Sequence, residues 1–419
     1  MVYVLDQDGY PLMPTERHGK VRRMLKHGEA KIVKRNPFTI QLLYESTHYT
    51  QDITLGIDAG SKHIGLSAST KKKELYASDV QLRTDVVDNI STRREARRAR
   101  RNRKTRYRKA RFQNRIRGKH KGWLAPSIEQ KIQCHMTQIE DVHKILPVKK
   151  IVVETASFDI QKLRNPEIKG AEYQQGDQMG FWNVREYVLF RDGHTCMHCH
   201  GKSKDPILNV HHIESRKTGG DAPNNLITLC ETCHKNFHSL TLEQQKKWGL
   251  KRGPSFKDAA FMGIMRWTFY ERLKKKYQNV QMTFGYITKH DRIHLGLVKE
   301  HYNDAYCIAG NLDAKPLTSV LFKRKVRRHN RQIHKFNPGK GGKRKLNQTP
   351  YLVKGFRLFD KVLYLDQECF ISGRRLAGSF ALKTFDWKKV TDGITCKKLK
   401  LLEERSGYIT TRKERAFLS

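Results

Sequence analysis

The stretch Cys196–His238, CMHCHGKSKDPILNVHHIESRKTGGDAPNNLITLCETCHKNFH, decides how this chain is organised. It contains two Cys-x-x-Cys pairs, Cys196/Cys199 and Cys230/Cys233. Two thiolate pairs with this spacing predict one closed, tetrahedral zinc site. Because the stretch is poor in apolar residues, we expect bound zinc to supply stability that its own core cannot. A plain zinc ribbon is the simplest interpretation of the cysteines alone.

The residues between the cysteines resemble the HNH, or ββα-metal, nuclease motif, in which a strand ends in His-His, a loop carries Asn and a helix carries further His. The resemblance implies that His211 binds a catalytic divalent metal, that His212 is the general base for the attacking water and that Asn225 orients it. One metal would stabilise charge on the phosphate and the leaving oxygen. His234 and His238 lie four residues apart and share a helix face, so either could complete the metal site; we favour His234.

Composition indicates a large polyanionic partner. The chain has 419 residues, enough for roughly three domains, and 83 Lys and Arg against 41 Asp and Glu give a net charge of +42. We find no signal peptide and no run of about 18 apolar residues, so we expect no membrane association and no export. The other cysteines form no framework, which predicts a reducing, cytoplasmic location. They are Cys134, Cys307, Cys369 and Cys396.

Three further segments carry candidate carboxylates. Residues 53–70, ITLGIDAGSKHIGLSAST, predict two strands, with Asp58 at the carboxyl end of the first, where an open α/β sheet places its chemistry. The phosphate loop of the actin and sugar-kinase fold also begins D-x-G-S, but we find no second glycine-rich phosphate strand. A β-branched strand ends at Glu154, and a further strand is predicted at residues 280–286. His301 and Asp304 lie three apart on a helix predicted at residues 294–310. Each carboxylate alone could be a simple cap.

Residues 92–121 are dominated by arginine and lysine and predict one long helix that is cationic on nearly all faces. Few apolar residues are present, so burial of an apolar stripe cannot stabilise it, and we expect it to fold against phosphates. A solvated charge run is the usual alternative. The residues that we expect to contact nucleic acid are Arg93, Arg94, Arg97, Arg98, Arg100, Arg101, Arg103, Arg106, Arg108, Arg111 and Arg115.

The beginning of the chain resembles the PLMP domain that opens IscB proteins, the transposon-encoded, RNA-guided RuvC/HNH nucleases related to CRISPR effector nucleases. It has Pro11-Leu12-Met13-Pro14 followed by a basic amphipathic helix at residues 17–30. The order Asp58, Glu154, HNH insert, His-x-x-Asp also resembles this family, although Ala59 stands where a Pro is common. By this resemblance, the arginine-rich segment corresponds to the bridge helix, which binds the guide RNA.

The resemblance implies an α/β fold, a ribonuclease H-like RuvC core split by the ββα-metal HNH insert. Asp58, Glu154 and Asp304 would hold two Mg²⁺ in RuvC, with His301 relaying a proton, besides one Mg²⁺ in HNH and structural Zn²⁺. The C-terminal region would be a small β-rich, barrel-like domain. The implied boundaries are 1–51 PLMP, 52–90 RuvC I, 91–122 bridge helix, 123–165 RuvC II, 166–184 linker, 185–240 HNH, 241–256 linker, 257–315 RuvC III and 316–419 C-terminal domain.

The function implied is RNA-guided cleavage of both DNA strands, with HNH cutting the guide-paired strand and RuvC the displaced strand. The implied partners are one large structured guide RNA (omega RNA) per protein, and double-stranded DNA with a short flanking motif. We expect a prokaryotic, cytoplasmic protein that joins the nucleoid when bound to DNA. Two alternatives stay open. One is an unguided structure-specific or homing-type HNH nuclease, and the other is a non-catalytic RNA-binding regulator.

Overall fold

The computed structural model describes residues 1–102, 123–124, 126–154, 180–181, 183–216, 219–253, 257–327 and 350–416. These residues form two compact units. The first draws on residues 1–84, 108–157 and 261–419, and the second on residues 85–107 and 158–260. No helix among the described residues is both long enough and apolar enough to cross a membrane.

The described residues contain both helices and strands, with runs of consecutive strands near each end of the chain, which makes the fold mixed α/β. The helices are α1 His18–Lys26, α2 Val86–Asn102, α3 Pro126–His143, α4 Val184–Arg191, α5 Glu231–Ser239, α6 Leu242–Lys247, α7 Lys257–Lys276, α8 Gly285–His294 and α9 His301–Ala309. The first ten strands are β1 Tyr3–Leu5, β2 Ala30–Lys34, β3 Thr39–Leu42, β4 Ile53–Ala59, β5 His63–Ser69, β6 Glu74–Gln81, β7 Val148–Glu154, β8 Leu208–His212, β9 Leu226–Cys230 and β10 Val280–Thr283. The remaining strands are β11 Ser319–Lys325, β12 Lys361–Tyr364, β13 Gln367–Arg374, β14 Ser379–Lys383, β15 Lys389–Thr395, β16 Lys400–Glu403 and β17 Tyr408–Glu414.

The first unit is built on a seven-stranded sheet with the order β10-β7-β4-β5-β6-β11-β17. Strands β10, β7 and β4 run parallel, whereas β4, β5 and β6 form an antiparallel meander. Strand β11 pairs parallel to β6 and antiparallel to β17. The sheet therefore joins strands from five separate parts of the chain, and its central strands are almost wholly buried.

Helix α9 lies directly on one face of this sheet because two glycines make room for its backbone. A Cβ added at Gly56 of β4 would lie 2.1 Å from the carbonyl oxygen of Ala305, and one at Gly65 of β5 would lie 1.9 Å from that of His301. Alternate residues of a strand point to the same face, so Asp58 shares the face of Gly56. The packing of α9 thus brings its first turn to Asp58.

The opposite face of the sheet is covered by α3 and α7. Leu55 and Ile57, which alternate with Gly56 and Asp58, belong to the same buried cluster as Ile139 of α3 and Phe269 of α7. Each fully buried side chain of this size contributes about 1.5–3 kcal/mol relative to exposure. Apolar burial on this face therefore stabilises the strand whose other face carries Asp58.

The first unit also contains two smaller sheets, one before β4 in sequence and one formed by the strands between β11 and β17. The N-terminal sheet has the order β1-β3-β2, and Val21 and Met24 of α1 are buried against it. The C-terminal sheet is antiparallel, with the order β15-β14-β13-β12-β16. Its outer strands β15 and β16 do not pair with each other, so it is an open sheet and the barrel-like closure that we predicted is wrong.

The second unit contains α2 and a small ββα element. Strands β8 and β9 form an antiparallel hairpin with His212 opposite Leu226, and α5 follows β9 directly. Asn183 caps α4, which precedes this hairpin, by accepting a hydrogen bond of 3.0 Å from the Glu186 amide. The sequence-based expectation of a strand that ends in His-His and a helix after the second cysteine pair agrees with these elements.

Three other boundaries differ from the predicted ones. The strand expected at residues 280–286 ends at Thr283, and Gly285 begins α8. The helix expected at residues 294–310 begins only at His301, as α9, and the sequence did not predict the preceding helix α8, Gly285–His294. Strands β11 and β17 extend the large sheet, so the expected C-terminal region of residues 316–419 is shared between two sheets.

The glycine contact with α9 can be tested by adding one methyl group. We expect Gly65→Ala to lower the free energy of unfolding by about 1–3 kcal/mol, because overpacking must displace α9. Gly263→Ala is the matched control: no described heavy atom lies within 4 Å of its added Cβ, and alanine in mid-helix is favoured by up to about 1 kcal/mol. Chemical denaturation of both variants measures the difference. Equal stability of the two would contradict the close packing of α9.

Candidate functional site

The four paired cysteines converge as the spacing predicts. Their sulfur atoms all lie within 4.8 Å of one another, and the Sγ atoms of Cys199 and Cys230 are 3.8 Å apart. Sulfurs at the corners of a tetrahedron with Zn–S bonds of about 2.3 Å are separated by about 3.8 Å. The donor set and its geometry therefore fit structural zinc.

Three histidines form a second cluster on the ββα element. His211, at the end of β8, and His234 and His238, on α5, bring ring nitrogens within 4.8 Å of one another. Nε2 of His211 is buried and has no hydrogen-bond partner among the described residues. Burial, followed by the neighbouring His234 and His238, lowers the pKa of His211 to about 4. A neutral, buried imidazole without a protein partner fits a metal ligand, and both helix histidines can join it.

His212 is oriented by a carboxylate that the sequence analysis did not identify. Its Nε2 lies 2.9 Å from Oδ1 of Asp221, while Arg216 donates to the other oxygen of the same carboxylate at 2.9 Å. The carboxylate accepts the hydrogen bond, which places the proton on Nε2 and leaves the lone pair on Nδ1. Nδ1 of His212 is therefore the atom that can accept a proton from water.

Asn225 is fully buried and holds the loop after β8 rather than the ring of His212. Its Nδ2 donates to the carbonyl oxygens of Glu214 and Gly220, and its Oδ1 accepts from the Glu214 amide, each at 2.9 Å. Gly219 must lack a side chain, because a Cβ there would lie 2.2 Å from Asn225. We predicted that Asn225 orients His212. Its side-chain hydrogen bonds instead go to backbone groups, so any such effect passes through the loop.

The second candidate site lies at the carboxyl ends of β4 and β7. Asp58 and Glu154 are register partners on these neighbouring parallel strands, and Nδ1 of His301 lies 2.6 Å from Oδ2 of Asp58. Asp304, one turn further along α9, is close to Arg292, whose Nε is 2.9 Å from its Oδ1. The structure thus brings together all four residues that the sequence analysis assigned to a carboxylate site.

Burial and the neighbouring negative charges raise the pKa values of two of these carboxylates. Burial, and then the charge of Asp58, raises the pKa of Asp304 to about 6 despite the opposing effect of Arg292. Burial also raises the pKa of Glu154; a hydrogen bond from Thr288 opposes this, and the charges of Asp58 and Asp304 add to it. Carboxylates that repel one another in a partly buried site fit a divalent cation. Among the described residues, only the cysteine and histidine clusters bring three ligand atoms within 4.8 Å, so these carboxylates are less compact.

A second histidine supports His301 and was missed by the sequence analysis. The rings of His63 and His301 are stacked, with centroids 5.0 Å apart and planes 8° apart. His63 is held in turn by Asp79, whose Oδ1 lies 2.8 Å from its Nδ1. Burial would lower the pKa of His301, but the hydrogen bond with Asp58 and the charges of Asp79 and Asp304 outweigh it and raise that pKa. In the sequence, the sign of this second histidine was the position of His63, three residues after Gly60 and at the start of the predicted second strand.

Part of the arginine-rich segment that we predict to contact nucleic acid, residues 92–121, lies on helix α2. The helix is described through Asn102, and Arg93, Arg94 and Arg98 are exposed on it. Exposed guanidinium groups on a helix that lacks an apolar stripe suit contacts with phosphates. The predicted contacts of Arg103, Arg106, Arg108, Arg111 and Arg115 lie outside the described residues.

Zinc binding can be tested apart from any activity. We expect Cys230→Ser to lose bound zinc and unfold the ββα element, because a site of four thiolates supplies much of its stability. Cys396→Ser, which changes a cysteine of the C-terminal sheet region, should retain one zinc per chain. Elemental analysis and near-ultraviolet circular dichroism measure both effects. Retention of full zinc by Cys230→Ser would exclude the four-cysteine site.

Two family models match separate parts of this chain. Residues 2–176 match the family model described as RRXRR protein, and residues 196–240 match the HNH endonuclease model. The first match includes Arg97-Arg98-Ala99-Arg100-Arg101 on α2. No curated protein matches the chain.

Solved structures of Streptococcus thermophilus Cas9 resemble parts of the chain. The structure with the AGAA PAM has 12% identity and a TM-score of 0.33 over 50% of this chain and 30% of that one. The structure with the AGGA PAM has 14% identity and a TM-score of 0.31 over 62% and 32%. The chain spans about a third of the length of these Cas9 chains. Together with its ββα geometry, the HNH match supports a nuclease that carries an HNH endonuclease domain.

Proposed function

We propose that this chain is an RNA-guided DNA endonuclease of the IscB kind that breaks both strands of its target. The observation that supports this best is the presence of two chemically different candidate sites in one chain. One is the HNH site with its histidine cluster, and the other is the carboxylate set of Asp58, Glu154 and Asp304 with His301. Two sites of different chemistry suit two strands, with HNH cutting the guide-paired strand and the carboxylate site, of the RuvC type, the displaced strand.

In the HNH site, His212 accepts the proton of the attacking water at Nδ1, since Asp221 fixes the proton on Nε2. His211, His234 and His238 would hold a divalent metal, which stabilises negative charge on the phosphate when bound. Asn225 keeps the loop in place and so preserves the position of Asp221 relative to His212. General-base catalysis of this kind contributes about 10²–10⁴-fold to a rate.

In the carboxylate site, Asp58, Glu154 and Asp304 would hold two Mg²⁺, which activate water and steady the leaving oxygen. His301 holds a proton on the nitrogen that faces Asp58. With this proton, His301 can relay a proton to or from the reacting oxygens beside Asp58. The stack of His63 on His301 limits the motion of the ring.

The proposed partners follow from charge and size. A net charge of +42 and the exposed arginines of α2 suit a large structured guide RNA, with one protein per RNA. Guide pairing would supply sequence specificity, while the C-terminal region reads a short motif beside the target. We also propose a prokaryotic, cytoplasmic protein that associates with the nucleoid on binding DNA.

Dependence on a guide RNA can be tested by identifying the RNA that copurifies with the protein. We expect purification from cells that carry the native flanking DNA to yield one dominant structured RNA with a variable end. A target that matches the variable end should then be cut with Mg²⁺, and a scrambled target should not. Cleavage of DNA that is undiminished by ribonuclease, with only bulk RNA bound, would favour the unguided nuclease.

If the HNH site cuts the guide-paired strand and the carboxylate site the displaced strand, inactivating either site should give a nickase. His212→Ala should leave cleavage of the displaced strand and abolish that of the guide-paired strand, and Asp58→Ala should do the reverse. Each loss should be about 10²-fold or more, because each variant lacks a group that acts on the reacting atoms. Labelling each strand of the target separately measures both rates. If either variant still cuts both strands at the original rates, the assignment of strands to sites is wrong.

The orienting role of Asp221 gives a further prediction. Asp221→Ala should slow cleavage of the guide-paired strand by about 10–100-fold, as is usual when the partner that orients an active-site imidazole is removed. Arg216→Ala is the control: it removes the exposed partner of the same carboxylate, and exposed ion pairs contribute at most about 1 kcal/mol. Strand-specific rates distinguish the variants. Equal rates for Asp221→Ala and the unchanged protein would remove Asp221 from the mechanism.

A further inference from the structure

Two large aromatic side chains are exposed beside the carboxylate site. Phe284 is 52% exposed and Tyr286 is 72% exposed. Their rings are parallel within 11°, with centroids 6.0 Å apart. Single exposed apolar residues are common on protein surfaces, but a parallel aromatic pair that no described residue covers offers a flat π surface to solvent.

The aromatic pair is fixed to the carboxylate site by the residues between and after the two rings. Gly285 separates them, and a Cβ added there would lie 3.0 Å from Oε1 of Glu154. Thr288, one turn along α8, is 4% exposed and donates a hydrogen bond to the same carboxylate. The start of α8 therefore turns one side to Glu154 and the other, with the two rings, to solvent.

The exposed side of α8 continues the aromatic pair with positive charge. Tyr286, His290 and Ile293 lie at intervals of four and three residues and share a helix face, and all three are exposed. Lys289, beside them, is also exposed. Aromatic rings interleaved with basic residues are typical of surfaces that bind single-stranded nucleic acid, where bases stack on rings and phosphates meet cations.

We propose that Phe284 and Tyr286 form a stacking platform for one nucleobase of the single DNA strand that enters the carboxylate site. The proposal rests on the function proposed for that site. A base stacked on the ring pair would hold the strand at the start of α8, whose other side contacts Glu154, and Lys289 would meet a neighbouring phosphate. The platform makes no sequence-specific hydrogen bonds, because every base has a π face.

The first test compares three variant proteins on a guided, strand-labelled target. Phe284→Ala/Tyr286→Ala should slow cleavage of the displaced strand by about tenfold or more, since stacking contributes about 1–3 kcal/mol per base. Phe284→Leu/Tyr286→Leu keeps apolar bulk but lacks π faces, and it should be slowed similarly. Tyr286→Phe keeps both rings and should match the original protein. Cleavage of the guide-paired strand should be unchanged in all three, which controls for folding and guide binding.

The position of the stacked base can be found with abasic nucleotides. Abasic residues placed one at a time in the displaced strand should slow its cleavage at one position near the cut. At that position the leucine variant should add little further loss, because both changes remove the same contact. Full activity of the leucine variant, or losses that simply multiply at every position, would overturn the proposal.

A second measurement needs no guide RNA and separates this proposal from the proposed function. The original protein should bind a short oligothymidylate more tightly than an abasic strand of equal length. In Phe284→Leu/Tyr286→Leu the ratio of the two affinities should fall by about fivefold or more. An unchanged ratio would reject the platform even if guided cleavage is observed. A reduced ratio would support it even if guided cleavage fails.

Discussion

The close approach of α9 to the central strands is the constraint on which the carboxylate site depends. The backbone of α9 contacts β4 at Gly56 and β5 at Gly65, where any side chain would collide with carbonyl oxygens. Only at this distance does His301, the first residue of the helix, reach Asp58 with a hydrogen bond of 2.6 Å. Two residues without side chains therefore set the geometry of residues that carry charge.

Burial shifts the pKa values of the two candidate sites in opposite directions. In the histidine cluster, burial keeps the pKa of His211 low, so the ring is neutral and ready to donate a lone pair. In the carboxylate site, burial raises the pKa values of Glu154 and Asp304, and His301 and Arg292 provide counter-charges. The first site therefore offers neutral nitrogen atoms, and the second offers carboxylates that repel one another.

Much of the architecture followed from local sequence. Strands β4, β5 and β7 were predicted from apolar, β-branched runs, and the ββα element from the His-His pair between two Cys-x-x-Cys motifs. The four cysteines and the histidines His211, His234 and His238 meet because hairpin and helix are contiguous, so spacing alone constrains their separation. Helix α8 was not predicted, and the helix expected at residues 294–310 begins only at His301. The signal that was overlooked is Gly296, whose φ of +61° breaks the helix in the largely apolar segment between α8 and α9.

The sequence by itself determined the paired cysteines and the histidine cluster, because residue type and spacing constrain their chemistry. The carboxylates were proposed from their order along the chain, which resembles that of RuvC/HNH nucleases. Only the tertiary structure decided which residues surround them. Asp221 reaches His212 through a loop, His63 stacks on His301 from a neighbouring strand, and the aromatic pair meets Glu154 through the packing of α8. Likewise, the buried Arg415 near the chain's end pairs with Glu74 at the start of β6. Such contacts join residues far apart in sequence, and local patterns carry no information about which distant segments will pack together.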